Sequence, residues 1–165
     1  MSNKKYILDQ QVIEKKLRRM TLEILESNSD EKEVILVGIR DSGSVLASII
    51  QKMINEMSNL RTELINLSLD KKNPQAIELS SDIDFNNRVV LIIDDVANSG
   101  KTLLYALKPF LSFQPKKIQT LVLVQRSHNS FPVYPDYIGL TIATTLQEHV
   151  FVEVNGDQVV GAYME

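Results

Sequence analysis

Residues 89–102 read "VVLIIDDVANSGKT". Its first five residues are aliphatic, which is typical of a short strand buried on both faces of a parallel sheet. Asp94 and Asp95 follow directly, and a small-residue run then leads into a helical pattern. Open α/β sheets bind ligands beyond the carboxyl ends of their strands. We therefore expect the two carboxylates and the small-residue loop to lie together in a ligand site.

The flanking sequence contains further strand patterns. Apolar runs at 34–39 and 118–124 predict two more buried strands, and residues 62–69 alternate well enough for another. The charged, proline-containing stretch 70–75 predicts a loop or hairpin tip. Near the C-terminus, Asn155-Gly156 is a two-residue hairpin signal between two apolar runs.

Helical periodicity separates these strands. Apolar residues recur at three- and four-residue steps over 9–27, where Asp9 is the expected N-cap. A second helix is predicted over 45–57, and a third after Gly100. Pro109 lies inside the third pattern and is expected to kink or end that helix, because proline has no N–H to donate.

This alternation predicts an α/β fold with a parallel-sheet core and helices on both faces. The N-terminal helix and the C-terminal strands are left over, and we expect them to form a small hood. The whole chain, 1–165, is interpreted as one domain, with a core over about 30–125 and a hood from about 1–28 and 126–165.

Composition excludes several classes of protein. The chain has 165 residues, of which 44% are apolar and 24% charged, as expected for one globular domain. A net charge of −3 argues against a globally basic nucleic-acid binder. The absence of cysteine excludes disulfides, a thiolate nucleophile and cysteine zinc sites. No apolar run is long enough for a membrane helix, and the first ten residues lack a signal-peptide core, so we expect a cytoplasmic protein.

The small-residue loop has the composition of a phosphate site. It can offer backbone N–H groups, two hydroxyls, a lysine charge and the start of a helix. Its residues are Ala97, Asn98, Ser99, Gly100, Lys101 and Thr102. A Walker A loop would need a glycine where Asp95 stands, and a carboxylate there would repel phosphates. A nucleoside triphosphatase is therefore rejected.

The tandem aspartates need their own explanation. They could be solvated or cap the next helix, but two carboxylates after five buried aliphatic residues favour a ligand. A carboxylate pair can accept hydrogen bonds from a vicinal diol, or hold Mg²⁺ directly or through water. A ribose 5′-phosphate would satisfy both the pair and the loop. A receiver-type phosphoacceptor domain is disfavoured because its acidic pair follows the first strand, whereas Asp94 lies past mid-chain.

At this point the sequence resembles the type I phosphoribosyltransferases. In that family an aliphatic strand, two acidic residues and a Thr/Ser-Gly-Lys/Arg-Thr loop bind 5-phosphoribosyl pyrophosphate (PRPP). The resemblance extends over nearly the whole chain to the bifunctional pyrimidine operon attenuator/uracil phosphoribosyltransferases. It is carried by "VILVGIRDSG" at 34–43, by the long segment 118–145 and by "VFVEVNGDQVVGAYME" at 150–165.

The resemblance implies the conversion of uracil and PRPP to UMP and pyrophosphate, with Mg²⁺ as cofactor. Asp94 and Asp95 would contact the ribose hydroxyls and the metal, and residues 97–102 would hold the 5′-phosphate. A pyrophosphate loop would consist of Arg40, Asp41, Ser42 and Gly43. Arg126 and His128 would lie near the base. Members of the family commonly form homodimers or larger homo-oligomers.

Three departures from that branch bear on activity. Asp41 puts an anion in the pyrophosphate loop, where the branch carries more positive charge. Lys71 and Lys72 stand in a shorter, different segment, for which a solvated loop tip is the simpler interpretation. Asn98 stands where 6-oxopurine members of the wider family carry an aspartate, which argues against a purine substrate.

A second interpretation is a regulator of pyrimidine gene expression that binds PRPP or a nucleotide with weak or no catalysis. The altered pyrophosphate loop favours it, whereas the residues from Asp94 to Thr102 fit both interpretations. RNA would be a further partner of such a regulator. The basic residues of the first helix, Lys15, Lys16, Arg18 and Arg19, are either a solvated face, an RNA contact or part of an oligomer surface.

Overall fold

A computed structural model describes residues 3–165. The strands in this range are β1 (Lys5–Asp9), β2 (Glu33–Ile39), β3 (Arg61–Leu69), β4 (Ile77–Leu79), β5 (Val89–Ala97), β6 (Lys117–Arg126), β7 (Tyr137–Ile142), β8 (Val150–Asn155) and β9 (Gln158–Met164). The helices are α1 (Gln10–Ser27), α2 (Ser42–Met57) and α3 (Lys101–Ala106), and a 3-10 helix covers Lys108–Ser112.

A six-stranded sheet forms the core, in the order β4-β3-β2-β5-β6-β7. Its strands are parallel except for β4, which pairs antiparallel with β3. The aliphatic residues that begin β5 are buried because β2 and β6 flank the strand and helices cover both faces. One apolar cluster joins α1 and α2 to one face, and a second joins α3 and the 3-10 helix to the other. The predicted α/β fold is confirmed.

The first helix forms as its sequence predicts. The Asp9 carboxylate accepts a hydrogen bond from the Val12 N–H at 2.9 Å, which caps the helix. Ile13, Leu17 and Ile24 lie on one buried stripe. No helix within residues 3–165 combines the length and the apolar character needed to cross a membrane.

The third helix is short. It ends at Ala106, and a 3-10 helix with Pro109 in its first turn follows. The predicted effect of this proline is confirmed. Leu111, farther along the same pattern, is 71% exposed and does not join the core.

Two strands run farther than predicted. β5 continues to Ala97 and β6 to Arg126. Asp94 and Asp95 therefore lie within the last residues of β5 instead of after it. The two carboxylates still lie near the carboxyl end of the sheet, because β5 is parallel to its neighbour β6 and both strands end on that side.

A separate three-stranded sheet, in the order β1-β9-β8, contains the C-terminal hairpin. β1 was not predicted. The hairpin turn is Gly156-Asp157, one residue later than predicted, and Gly156 has a positive φ of 63°. The packing also differs from the expected hood: β7 belongs to the central sheet, and α1 packs in one apolar cluster with residues of both sheets.

Part of the basic face of α1 has structural partners. The Lys16 ammonium donates to the Gly139 carbonyl at 3.1 Å, and the Arg19 guanidinium donates to the carbonyls of Ile138 and Gly139. These carbonyls belong to β7, the edge strand of the central sheet, so the two cations cover a sheet edge. Lys15 and Arg18 remain exposed.

Candidate functional site

The acidic pair lies near the carboxyl end of β5. Asp94 is 1% exposed, and the side chain of Asp95 is 17% exposed. Each carboxylate accepts the N–H of the next residue, at 2.9 Å for Asp94 and 2.8 Å for Asp95. The Asp94 Oδ2 atom is buried without a hydrogen-bond partner among residues 3–165. A buried acceptor of this kind is costly unless a ligand supplies a donor or a cation.

The environment makes ionisation of Asp94 unfavourable. Burial raises its pKa to about 8, and the neighbouring charge of Asp95 raises it too, while the Lys71 ammonium opposes the shift. A ligand that brings O–H donors or positive charge to this pair would stabilise the ionised form.

Asp94→Asn is expected to stabilise the protein, and more so at high pH. The pKa of Asp94 is about 8 in the folded protein against an ordinary 3.8, so the folded state holds the proton more tightly. The contribution of Asp94 to the free energy of unfolding therefore falls as pH rises between these values. In urea denaturation, the gain should be larger at about pH 8.5 than at about pH 5, by on the order of 4 kcal/mol. Asp157→Asn, at an exposed hairpin turn, is the matched control, and equal pH dependence in both variants would contradict the prediction.

The predicted phosphate loop follows the acidic pair. Gly100 has a positive φ of 86°, and the Ser99 hydroxyl accepts the Lys101 N–H at 3.3 Å. The N–H groups of Ser130 and Phe131 both donate to the Ser99 carbonyl at 3.0 Å. These contacts fix the loop against the segment that follows β6. Because α3 is only six residues long, anion binding would depend on the groups of the loop more than on a helix dipole.

The predicted pyrophosphate loop, 40–43, runs from the end of β2 into the first turn of α2 and packs against β5 beside Asp94. A Cβ atom added to Gly43 would lie 2.6 Å from the Ile93 carbonyl oxygen and 3.1 Å from the Asp94 Cα atom. The loop therefore packs directly on the strand that carries the acidic pair. Arg40 and Asp41 are exposed, joined by a cis peptide bond, and the Arg40 N–H donates to the Leu67 carbonyl.

Lys71 corrects the interpretation of segment 70–75 as a purely solvated tip. Its ammonium lies 3.4 Å from Asp94 Oδ1 and 3.5 Å from Asp95 Oδ1, while Lys72 is exposed. Partial burial lowers the pKa of Lys71, but the negative charges of Asp94 and Asp95 more than offset this, and the pKa is raised. The segment is the tip of the β3–β4 hairpin, which folds back over the carboxyl end of the sheet.

Arg126 joins the phosphate loop to the segment after β7. Its guanidinium is buried and donates to the Thr144 hydroxyl at 2.7 Å, the Thr145 carbonyl at 2.9 Å and Asn98 Oδ1 at 3.3 Å. His128 Nε2 lies 3.2 Å from the Thr144 carbonyl oxygen. Both predicted base-pocket residues are thus brought to the same side of the loop. Their contact with a base stays a prediction.

Sequence reasoning missed Gln125. Its side chain is 3% exposed, and its Oε1 atom has no hydrogen-bond partner within the described chain. It lies opposite Ala97 in the pairing of β5 with β6, beside the phosphate loop. The apolar run that predicted this strand ended at 124, so nothing in the pattern marked the next residue as buried.

Two cavities differ in what they contain. A small cavity of about 50 Å³ is lined by Lys71 and residues 96–103, so the predicted phosphate loop forms most of its wall. A larger one of about 500 Å³ lies at the amino ends of β2 and β3, next to Lys32 and Arg61. The larger cavity holds none of the predicted site residues.

Comparison with known proteins agrees with this geometry. The family model described as "Phosphoribosyl transferase domain" matches residues 3–155. The chain belongs to the phosphoribosyltransferase family. Among curated relatives of this family member, the Bifunctional protein PyrR of Streptococcus pneumoniae strain CGSP14 is 31% identical over 156 residues, which are 91% of this chain and 90% of that protein. The protein of the same name from S. pneumoniae strain TIGR4 gives the same values.

Solved structures of phosphoribosyltransferases share the fold. The hypoxanthine phosphoribosyltransferase of Trypanosoma cruzi has a TM-score of 0.79 at 14% identity, covering 98% of this chain and 97% of that one. A hypoxanthine-guanine phosphoribosyltransferase from Bacillus anthracis has a TM-score of 0.76 at 14% identity, covering 98% and 99%. At this identity the likeness concerns the fold.

The donor set fits a magnesium ion shared with a substrate. Asp94 offers an unpartnered carboxylate oxygen, and the neighbouring Asp95 carboxylate is partly exposed. No group of three or more His, Cys, Asp or Glu side chains suited to a metal occurs within residues 3–165. Mg²⁺ is commonly held by one or two carboxylates together with substrate phosphates and water. Asp94 and Asp95 would hold the ion in that way.

Proposed function

We propose that this protein is a cytoplasmic enzyme of pyrimidine salvage that transfers the 5-phosphoribosyl group of PRPP to uracil, releasing pyrophosphate. The observation that supports the proposal is the buried, unpartnered oxygen of Asp94, a residue whose backbone packs against Gly43 of the loop 40–43. A sugar phosphate needs hydroxyl acceptors and an anion site side by side, and the end of β5 offers both.

Each group of residues in the site has a different part of the substrate to bind. Asp94 and Asp95 accept hydrogen bonds from the ribose hydroxyls, and residues 97–102 donate to the 5′-phosphate. Arg40 and the backbone of 41–43 face the leaving pyrophosphate. When bound, Mg²⁺ neutralises part of the pyrophosphate charge. Catalysis then consists of placing the base against C1 of the ribose and stabilising an oxocarbenium-like state, so no side-chain nucleophile is required.

Two observations favour uracil over a purine as the base in this proposal. The similarity to Bifunctional protein PyrR covers nearly the whole chain. In addition, Asn98 replaces the aspartate of 6-oxopurine members, and its side-chain oxygen already accepts a hydrogen bond from Arg126. Asn98 therefore offers no carboxylate to a purine ring.

A ligand-sensing regulator is the second candidate. Asp41 adds negative charge to the loop that would meet a pyrophosphate, and two charges about 4 Å apart near a protein surface repel by on the order of 1 to 4 kcal/mol. Such repulsion could slow turnover without abolishing nucleotide binding. Lys15 and Arg18 are the exposed basic residues of α1 that remain for an RNA contact.

Pyrophosphate release tests the proposal. Purified protein is mixed with PRPP, Mg²⁺ and each of uracil, hypoxanthine, guanine, adenine and orotate. We expect turnover with uracil alone. Turnover with a purine would contradict the choice of base. No turnover, together with a rise in melting temperature on adding PRPP or UMP, would favour the regulator.

A further inference from the structure

Lys71 stands where a ligand of the acidic pair would have to bind. One ammonium group contacts Oδ1 of both Asp94 and Asp95, at 3.4 and 3.5 Å. A ribose diol or a divalent cation would need the same carboxylates. An ammonium has only three N–H donors, and in this position it leaves Asp94 Oδ2 without a partner. The lysine therefore compensates the charge of the pair without completing its hydrogen bonds.

The volume of the cavity also indicates that Lys71 obstructs the site. The cavity lined by Lys71 and the phosphate loop measures about 50 Å³. Small-molecule sites commonly have volumes of about 300 Å³ or more. This space suits part of a sugar phosphate only, so a whole ligand requires a side chain or a segment to move.

Lys71 is suited to that movement. It lies on the hairpin tip between β3 and β4, and its side chain is 48% exposed. Asn73, Gln75 and Ala76 on the same tip are exposed as well, whereas Pro74 is buried, and Lys108 Nζ of the 3-10 helix lies 3.4 Å from the Gln75 carbonyl oxygen. The carboxylates, in contrast, belong to the central strand of a packed sheet. When the contact breaks, the half-exposed side chain of Lys71 is therefore the side that moves.

We propose that Lys71 is an internal counter-ion of Asp94 and Asp95 that must leave this pair when a ribose or a divalent cation binds there. Ligand binding is thereby coupled to displacement of the Lys71 side chain. The identity of the sugar ligand rests on the proposed function, but the competition for the carboxylates does not. Lys71 acts as an internal competitor, and removing it should strengthen cation binding to the pair.

Binding of Mg²⁺ alone tests this competition. Isothermal titration at about pH 8.5 compares the wild type with Lys71→Met and with Lys72→Met, a matched control on the same tip. Lys71→Met is expected to bind Mg²⁺ about tenfold more tightly or better, because a nearby positive charge has been removed. Lys72→Met should stay within about twofold of the wild type. Adding Asp94→Asn and Asp95→Asn to Lys71→Met should abolish the gain and so locate the ion.

Hydrogen exchange supplies an independent readout of the moving segment. In the wild type, amides of 70–76 are expected to exchange faster on addition of Mg²⁺ with PRPP, because the tip loses its ion pair. Equal or weaker Mg²⁺ binding by Lys71→Met would overturn the proposal, as would slower exchange of the tip in the wild type. If Lys71→Met binds Mg²⁺ more tightly while neither protein binds PRPP, the counter-ion stands and the proposed function falls. If PRPP binds but Lys71→Met gains no affinity for Mg²⁺, the reverse holds.

Discussion

Replacing Asp94 and Asp95 together by asparagine is expected to lower kcat/KM for PRPP by about a thousandfold or more. Asparagine keeps the shape of aspartate but removes its charge and places N–H donors where the ribose hydroxyls must donate. Both the sugar contact and the metal ligands are lost in one step. Pyrophosphate release with uracil, measured over a range of PRPP concentrations, gives the value.

Two controls separate this loss from unfolding. Asp94→Asn alone is expected to increase stability, so the double variant should melt no lower than the wild type. Asp82→Asn, at an exposed position away from the site, should leave kcat/KM unchanged. Activity of the double variant within about tenfold of the wild type would mean that the pair does not hold the reacting sugar.

Gly43→Ala is expected to destabilise the protein by about 2 to 4 kcal/mol and to weaken PRPP binding. The added methyl group would lie 2.6 Å from the Ile93 carbonyl oxygen and 3.1 Å from the Asp94 Cα atom. Both are backbone atoms in the centre of the sheet, so the start of α2 has to move instead. That movement carries the loop 40–43 away from the acidic pair. Urea denaturation and a PRPP titration measure the two effects.

Gly156→Asn is the matched control for this substitution. Gly156 has a positive φ of 63°, which asparagine tolerates better than most residues, and no atom lies within 4 Å of an added Cβ. Its stability should stay within about 0.5 kcal/mol of the wild type. A loss in Gly43→Ala no larger than in this control would show that α2 and β5 are not in close contact.

Local signals predicted the centre of the fold. Residues close together in the sequence form the aliphatic run of β5 and the three- and four-residue apolar steps of α1. The structure confirms both elements. The Asp9 cap and the effect of Pro109 are local too. β1 was missed because "KYILD" is short, and its partner β9 lies at the other end of the chain.

The candidate site likewise has a part formed by contiguous residues and a part formed by contacts between distant ones. Residues 94–102 are contiguous, so their chemistry could be recognised from the sequence before the sheet was known. The contact of Lys71 with Asp94 depends on how the β3–β4 hairpin folds back over the sheet. The bond from Arg126 to Thr144 likewise depends on the path of the chain through β7. No spacing rule connects residues in such pairs, and only the folded chain shows them together.

Asp94 also shows that stability and the proposed function oppose each other at one position. A fully buried carboxylate with an unpartnered oxygen and a pKa raised to about 8 by burial lowers the stability of the empty protein. Lys71 reduces that cost by its charge. A ligand that supplies hydroxyl donors and a cation removes the rest, which favours binding.

The most direct measurement is a crystal structure of the protein with PRPP and Mg²⁺ in the absence of a base. The predicted result has the ribose hydroxyls hydrogen-bonded to Asp94 and Asp95, the 5′-phosphate on the backbone of 97–102 and Lys71 displaced from the pair. A phosphoribosyl group bound elsewhere, with Lys71 still in contact with the acidic pair, would show that the end of β5 is not the PRPP site.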